Sequence, residues 1–215
     1  MYTPRAFAED DLAGLDWLLA RDPFATLVTT GADGLPLATH LPVLYARDGD
    51  DVVVEGHWAR PNPQAVHAGP ALLIVNGPHH YISPGWYPDK AEMARVPTWN
   101  YAAAHLHGSL EALHEEEQLA SIVSRLGERF EPQVGGQWRY DHADERERRQ
   151  LRGIVGFRFH ASRIALKFKL NQNHPSANVE GAIAGLRALP GDNADEVATL
   201  MADRLARRDQ AGPAE

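Results

Sequence analysis

Cysteine is absent from this chain of 215 residues. No disulfide, thiolate zinc site or catalytic thiol can therefore be built. Its absence also suits a reducing compartment. Long apolar runs are missing too: none approaches the roughly 18 residues needed to span a bilayer. The opening Met1-Tyr2-Thr3-Pro4-Arg5 lacks the apolar core of a signal peptide. Together these absences place the chain in the cytoplasm, with no membrane partner expected. Gly-x-Gly-x-x-Gly, the Walker loop and Gly-x-Ser-x-Gly are all lacking, which argues against a Rossmann dinucleotide site, a P-loop NTPase and an α/β-hydrolase. No helix pair has the short turn of a helix-turn-helix.

Acidic residues are missing from one stretch in particular. Between Glu147 and Glu180 there are none, while Arg148, Arg149, Arg152, Arg158, Arg163, Lys167 and Lys169 all fall there. The chain carries a formal −8. With those seven taken from the 21 basic groups, against 29 acidic ones, the remainder stands at −15. A basic strip on an acidic protein points to one anionic ligand, or to a strand face paired with acidic neighbours. The overall field does not attract nucleic acid, so direct DNA binding is not expected.

What is present is β-rich. Phe24–Thr30 reads as a strand closed by a turn at 31–34, with 37–45 as its hairpin partner. Further strands are expected at 52–57, 71–76, from Thr98 toward Leu113, at 154–159 and at 164–170. A structured loop fills 81–97. Helices are expected at 10–19, at 115–130 with a stripe of Leu119, Ile122, Val123, Leu126 and Phe130, at 144–151, and after an N-cap at Asn193. The last residues, 209–215, read as frayed. Six to eight strands with peripheral helices suggest a small closed or partly closed barrel of the α+β class. We read 1–190 as one domain and 191–215 as an added amphipathic helix and tail.

Polar, aromatic and Pro/Gly residues crowd five segments. These are Thr39-His40-Leu41-Pro42, the run from Gly56 to Pro63, the run from Gly77 to Tyr87, Pro97-Thr98-Trp99-Asn100-Tyr101, and the run from Lys167 to Asn173. A flavin needs a flat apolar wall, amide or hydroxyl partners for its pyrimidine edge, and cations for its phosphate. Trp, Tyr, Asn, Thr and Arg/Lys supply those groups, yet the same aromatics also serve as barrel plugs or interface anchors. His57 and Arg60, ahead of Asn62-Pro63, fit either a phosphate clamp or a structural turn. His40 fits a ligand contact or a core group. Lys167 and Lys169 fit a ligand or an exposed strand face. His105-x-His107 places two imidazoles on one strand face but lacks a third ligand, so no metal is expected.

These segments together resemble the PaiB-type family of FMN-binding proteins labelled negative transcriptional regulators. The similarity also takes in Pro23-Phe24-Ala25-Thr26-Leu27-Val28-Thr29, Gly153-Ile154-Val155-Gly156-Phe157 and Gly181…Gly185-Leu186, covering residues up to about 187. The resemblance implies an FMN-binding split β-barrel and a homodimer, and it carries the regulator label; since direct DNA binding is not expected of this acidic chain, the regulation is read as indirect, through flavin or a partner. A flavin- or haem-dependent oxidoreductase on the same barrel is the alternative, with haem as the other ligand. Thr39, His40, Leu41, His57, Arg60, Asn62, Trp99, Asn100, Tyr101, Lys167, Lys169 and Gln172 are the candidate cofactor-binding residues; no catalytic residue is identified. One departure stands out: Asn171 occupies a position where that family carries serine.

Overall fold

In the computed structural model, residues 1–211 are described. The elements in order are β1 (Ala8–Glu9), α1 (Ala13–Arg21), β2 (Phe24–Thr30), β3 (Pro36–Pro42), β4 (Leu44–Asp48), β5 (Asp51–Ala59) and β6 (Gly69–Ile82). They continue with β7 (Thr98–Leu113), α2 (Glu116–Phe130), α3 (Glu145–Gln150), β8 (Ile154–Lys169), α4 (Ser176–Arg187) and α5 (Asp192–Ala211). The strands form one eight-stranded sheet in the order β3-β2-β6-β7-β8-β5-β4, with β1 added to β8. The fold is α+β, as expected. No helix among the described residues is long and apolar enough to cross a membrane.

Contacts divide the chain into two compact units. The first takes Met1–Gly14, Asn76–Ala104 and the residues from Ala165 onward; the second takes Leu15–Val75 and His105–Ile164.

In the second unit, β2 and β3 form a hairpin running from Phe24↔Pro42 to Thr30↔Pro36. Its tight turn uses Gly34 at φ 81°, a left-handed conformation that suits glycine. The alternation of β2 buries Ala25, Leu27 and Thr29 and leaves the intervening residues outward. Toward the other edge, which is β4, β5 pairs with β8 from Val53↔His160 to Ala59↔Ile154. Trp58 and Phe157 meet in the interior with ring centroids 4.8 Å apart. The apolar stripe of α2 buries Leu119, Ile122 and Leu126, the last two packed with Leu113. Gly156 accommodates that helix: a Cβ there would lie 3.0–3.2 Å from Leu119, Ile122 and Leu113.

In the first unit, α4 and α5 bury Val179, Ala182, Ile183, Leu186, Val197 and Met201. Helix α4 comes very close to the turn at 84–86. A Cβ on Gly181 would sit 2.2 Å from the Trp86 carbonyl oxygen, and one on Gly185 2.3 Å from the Trp86 ring. Glycine at these two positions is therefore a packing requirement.

Several boundaries differ from expectation. Strand β6 runs on through Ile82, so Tyr81 is sheet and only the following residues are loop. The strands expected at 154–159 and 164–170 are one strand of 16 residues. Helix α4 is an addition to the expected elements, and α5 starts at Asp192, one residue before the expected cap. Of the tail read as frayed, residues 209–211 end α5, and 212–215 lie outside the described residues.

Candidate functional site

The twelve candidate residues fall six in each unit. In the first unit, four of them share one strand-built face. Trp99 and Tyr101 alternate outward on β7, with Trp99 53 % exposed. Trp99 lies 6.2 Å, centroid to centroid, from both His79 and Tyr81, and Tyr81 is itself exposed. The Lys167 ammonium stands 5.2 Å from the centre of the Tyr101 ring and 5.8 Å from that of Tyr2, and donates to the Tyr2 carbonyl at 3.1 Å. Lys169 donates to the Thr98 hydroxyl. Burial pushes the Lys169 ammonium below its ordinary range, Tyr101 opposes that shift, and Lys167 adds to it. Lys167 is buried, contrary to the picture of an exposed lysine on a strand face.

Asn100 and Gln172 do not join that face. Asn100 points the other way, is fully buried, and donates to the Met201 sulfur at 3.2 Å. Its amide oxygen is buried without a hydrogen-bond partner. Gln172 folds back on its own backbone, accepting from Leu170 N at 2.6 Å and donating to the Phe168 carbonyl. Asn171, the departure from the family pattern, has φ 63° and donates to the Tyr87 hydroxyl at 2.9 Å. Asparagine tolerates this left-handed conformation better than most side chains, which accounts for the residue found there.

In the second unit the candidates scatter. Thr39 accepts from the Asn62 side chain at 2.9 Å, and Asn62 in turn caps the short turn at 63–66 by accepting from Gln64 N. His40 is on the opposite face of β3, 2.8 Å from the Thr26 hydroxyl and stacked near Phe24. Leu41 is core. Arg60 donates through Nε to the Arg152 carbonyl at 2.6 Å and through Nη2 to that of Ile154 at 2.8 Å. Those two bonds tie the end of β5 to the start of β8 and leave Nη1 for any ligand.

His57 lies opposite Gly156, on the sheet face that α2 covers. Its Nδ1 is buried without a partner, and burial alone lowers its pKa. The unfolded imidazole takes up a proton near pH 6.5 while the folded one resists it, so stability is complete above that pH and declines as the pH falls. His105, His107 and His174 shift in the same direction, each chiefly by burial. The urea midpoint is expected to drop between about pH 7 and pH 5, and to drop less steeply in His57→Gln. Parallel pH profiles for the two proteins would show that His57 contributes nothing.

Three of the seven basic residues of the strip meet carboxylates. Arg158 meets Glu55 at 2.8 Å, Arg149 meets Glu145 at 3.1 Å, and Arg148 approaches Glu116 at 3.7 Å. Among the described residues, no group of three or more His, Asp or Glu is placed to hold a metal ion.

Residues 1–163 match the profile of a protein family described as "Putative FMN-binding domain". The chain belongs to this family. Membership assigns FMN as the cofactor. The "Protease synthase and sporulation protein PAI 2" of Bacillus subtilis is 32% identical over 212 residues, covering 97% of this chain and 100% of the relative. An uncharacterised protein of Emericella nidulans is 28% identical over 250 residues, covering 98% of this chain and 100% of that one. Among solved structures, the FAD and heme binding protein from Mycobacterium smegmatis gives a TM-score of 0.54 at 19% identity, covering 83% of this chain and 80% of that one. The flavocytochrome Anf3 from Azotobacter vinelandii gives 0.53 at 17%, covering 78% and 72%. These two share the fold, a split β-barrel.

The face in the first unit has the chemistry that FMN needs. Exposed aromatic rings offer a wall for the isoalloxazine, and Lys169, close enough to Tyr101 to feel its charge, offers a cation for a phosphate.

Proposed function

We propose that this protein is an FMN-binding, PaiB-like negative regulator of transcription, working as a cytoplasmic homodimer and acting on its target indirectly. The observation that carries the reading is the match to the PAI 2 relative over nearly the whole of both chains, within a family of FMN-binding domains. In this reading Trp99 and Tyr101 form the ring wall, and Lys169 holds the phosphate while Lys167 orients Tyr101. FMN supplies reversible redox chemistry when bound. The protein's residues bind and orient it.

The indirect action is supported by the charge of the surface. Three of the strip's arginines already meet carboxylates. Helix α2 opens beside Glu115, Glu116 and Glu117. Such a surface repels a phosphate backbone. Absorption spectra of the fresh protein, before and after FMN addition, test the cofactor. Anisotropy with a promoter library at physiological salt, with and without FMN, tests the rest. We expect a flavin spectrum and no sequence-selective binding in the nanomolar range. Steady NAD(P)H-dependent turnover would instead make the protein an oxidoreductase.

Trp99 gives a second test. With 53 % of its surface exposed, it contributes little to the core. Trp99→Ala is expected to weaken flavin binding or self-association at least tenfold while leaving the unfolding free energy within about 0.5 kcal/mol of the parent. Light scattering, with 23.7 kDa as the monomer mass, reads the association. A variant that loses only stability would make Trp99 a packing residue. A clean monomer for the parent protein would remove the dimer.

A further inference from the structure

A concavity lies in the first unit, and most of its lining falls outside residues 1–163, the part that matches the family. Its volume is about 320 Å³. Leu170 at the end of β8, Val179 of α4, and Met201 and Leu205 of α5 give it an apolar lining. Met201 is held in place, because its sulfur accepts the buried Asn100 amide.

The polar side of the lining is cationic. Arg204 is neutralised by Glu9. Arg208 is fixed by neutral partners: its Nη1 donates to the His174 carbonyl at 3.0 Å and its Nη2 to the Ser176 hydroxyl at 2.7 Å. The carboxylate of Asp209 is 3.9 Å from it and largely exposed. Arg207 has no carboxylate partner among the described residues and is exposed. An apolar floor of this size, bordered by a fixed guanidinium and a free one, matches a molecule with one anionic end and a short apolar body.

We propose that the pocket between α4, α5 and the end of β8 binds a small amphipathic monoanion, such as a medium-chain or aromatic carboxylate. The apolar body lies against Leu170, Val179, Met201 and Leu205, and the anionic end meets Arg207 and Arg208. Gln172, one of the twelve candidates, also lines this pocket, but no lining residue belongs to the aromatic face on which the flavin reading rests.

Octanoate is a suitable probe, with 1-octanol and acetate as controls, titrated into the full chain by calorimetry. The expected result is saturable one-to-one octanoate binding, with octanol at least tenfold weaker and acetate undetectable. Arg207→Gln, at an exposed position, should weaken octanoate about tenfold, the usual worth of one charge-assisted contact. Leu205→Trp should fill the pocket and abolish binding, with circular dichroism confirming its fold. A rise in the unfolding temperature with octanoate should shrink in Arg207→Gln and be lost in Leu205→Trp. Absence of saturable binding, equal affinity for octanol, or unchanged affinity in either folded variant would overturn the proposal. Flavin titrations run beside these report on the other site separately.

Discussion

Gly108→Ala is expected to destabilise the protein by about 3 kcal/mol, the upper end of what overpacking a tight interior costs. Gly108 lies within β7, and a Cβ there would fall 2.0 Å from the His160 carbonyl oxygen of β8 and 2.7 Å from the Phe159 ring. The ring could turn aside, but the carbonyl belongs to a backbone held in the sheet between β7 and β5. A single methyl therefore has to push neighbouring strands away from each other, and hydrogen bonds along the ladder are lost with the contact. For a domain of this size the loss corresponds to a drop of about 6–12 °C in the unfolding temperature. Gly153→Ala is the control. Nothing lies within 4 Å of a Cβ at Gly153, so its effect should stay within about 0.5 kcal/mol. Equal melting temperatures for Gly108→Ala and the parent would show that the strands are free to separate.

Glycines of this kind mark what can and cannot be read from the sequence. The β2 strand is legible to the residue, because alternation and β-branched side chains end at a glycine turn. The stripe on α2 is legible for the same kind of reason. Strand β8 is not. Its middle, from His160 to Arg163, is largely exposed, so it has the polar composition of a turn although the backbone is continuous strand. Helix α4 is hidden by Gly181 and Gly185, which lower helix propensity by about 1 kcal/mol each. Only the Trp86 turn packed against them explains their presence, and that turn is remote in sequence.

The candidate site follows the same rule. Alternation brings Trp99 and Tyr101 to one face, and it also turns Asn100 away from them, a division that the five residues from Pro97 to Tyr101 do not show when taken as one string. The partners of Arg60 are carbonyls 92 and 94 residues away, so no local pattern announces them. Exposed Tyr81 joins the aromatic face only because it is sheet, where its Pro- and Gly-rich neighbours suggest loop. No apolar run announces it, because Gly77-Pro78-His79-His80 separate Tyr81-Ile82 from the apolar stretch that ends at Val75.

FMN is expected to bind at least tenfold more tightly than riboflavin, and Lys169→Met should remove most of that preference. The two ligands share a ring and differ in the phosphate, so their ratio isolates the charge contribution from the aromatic one. The Lys169 ammonium is partly desolvated and has a neutral partner, the Thr98 hydroxyl, but no carboxylate within ion-pair range among the described residues. A phosphate beside it gains a charge-assisted hydrogen bond worth about 1.5–3 kcal/mol, or roughly tenfold to a hundredfold in affinity. Lys167 is less available, since it is already engaged by the Tyr2 carbonyl and two aromatic rings. Arg60→Gln is the parallel variant in the second unit. Because two of its nitrogens are spent on the carbonyls of Arg152 and Ile154, it should lower stability more than it changes the FMN-to-riboflavin ratio. Fluorescence quenching titrations of both flavins against the parent and the two variants give the ratios directly. Equal affinities of the parent for FMN and riboflavin would remove the phosphate from the site. A collapse of the ratio in Arg60→Gln with Lys169→Met unchanged would move the phosphate to the second unit.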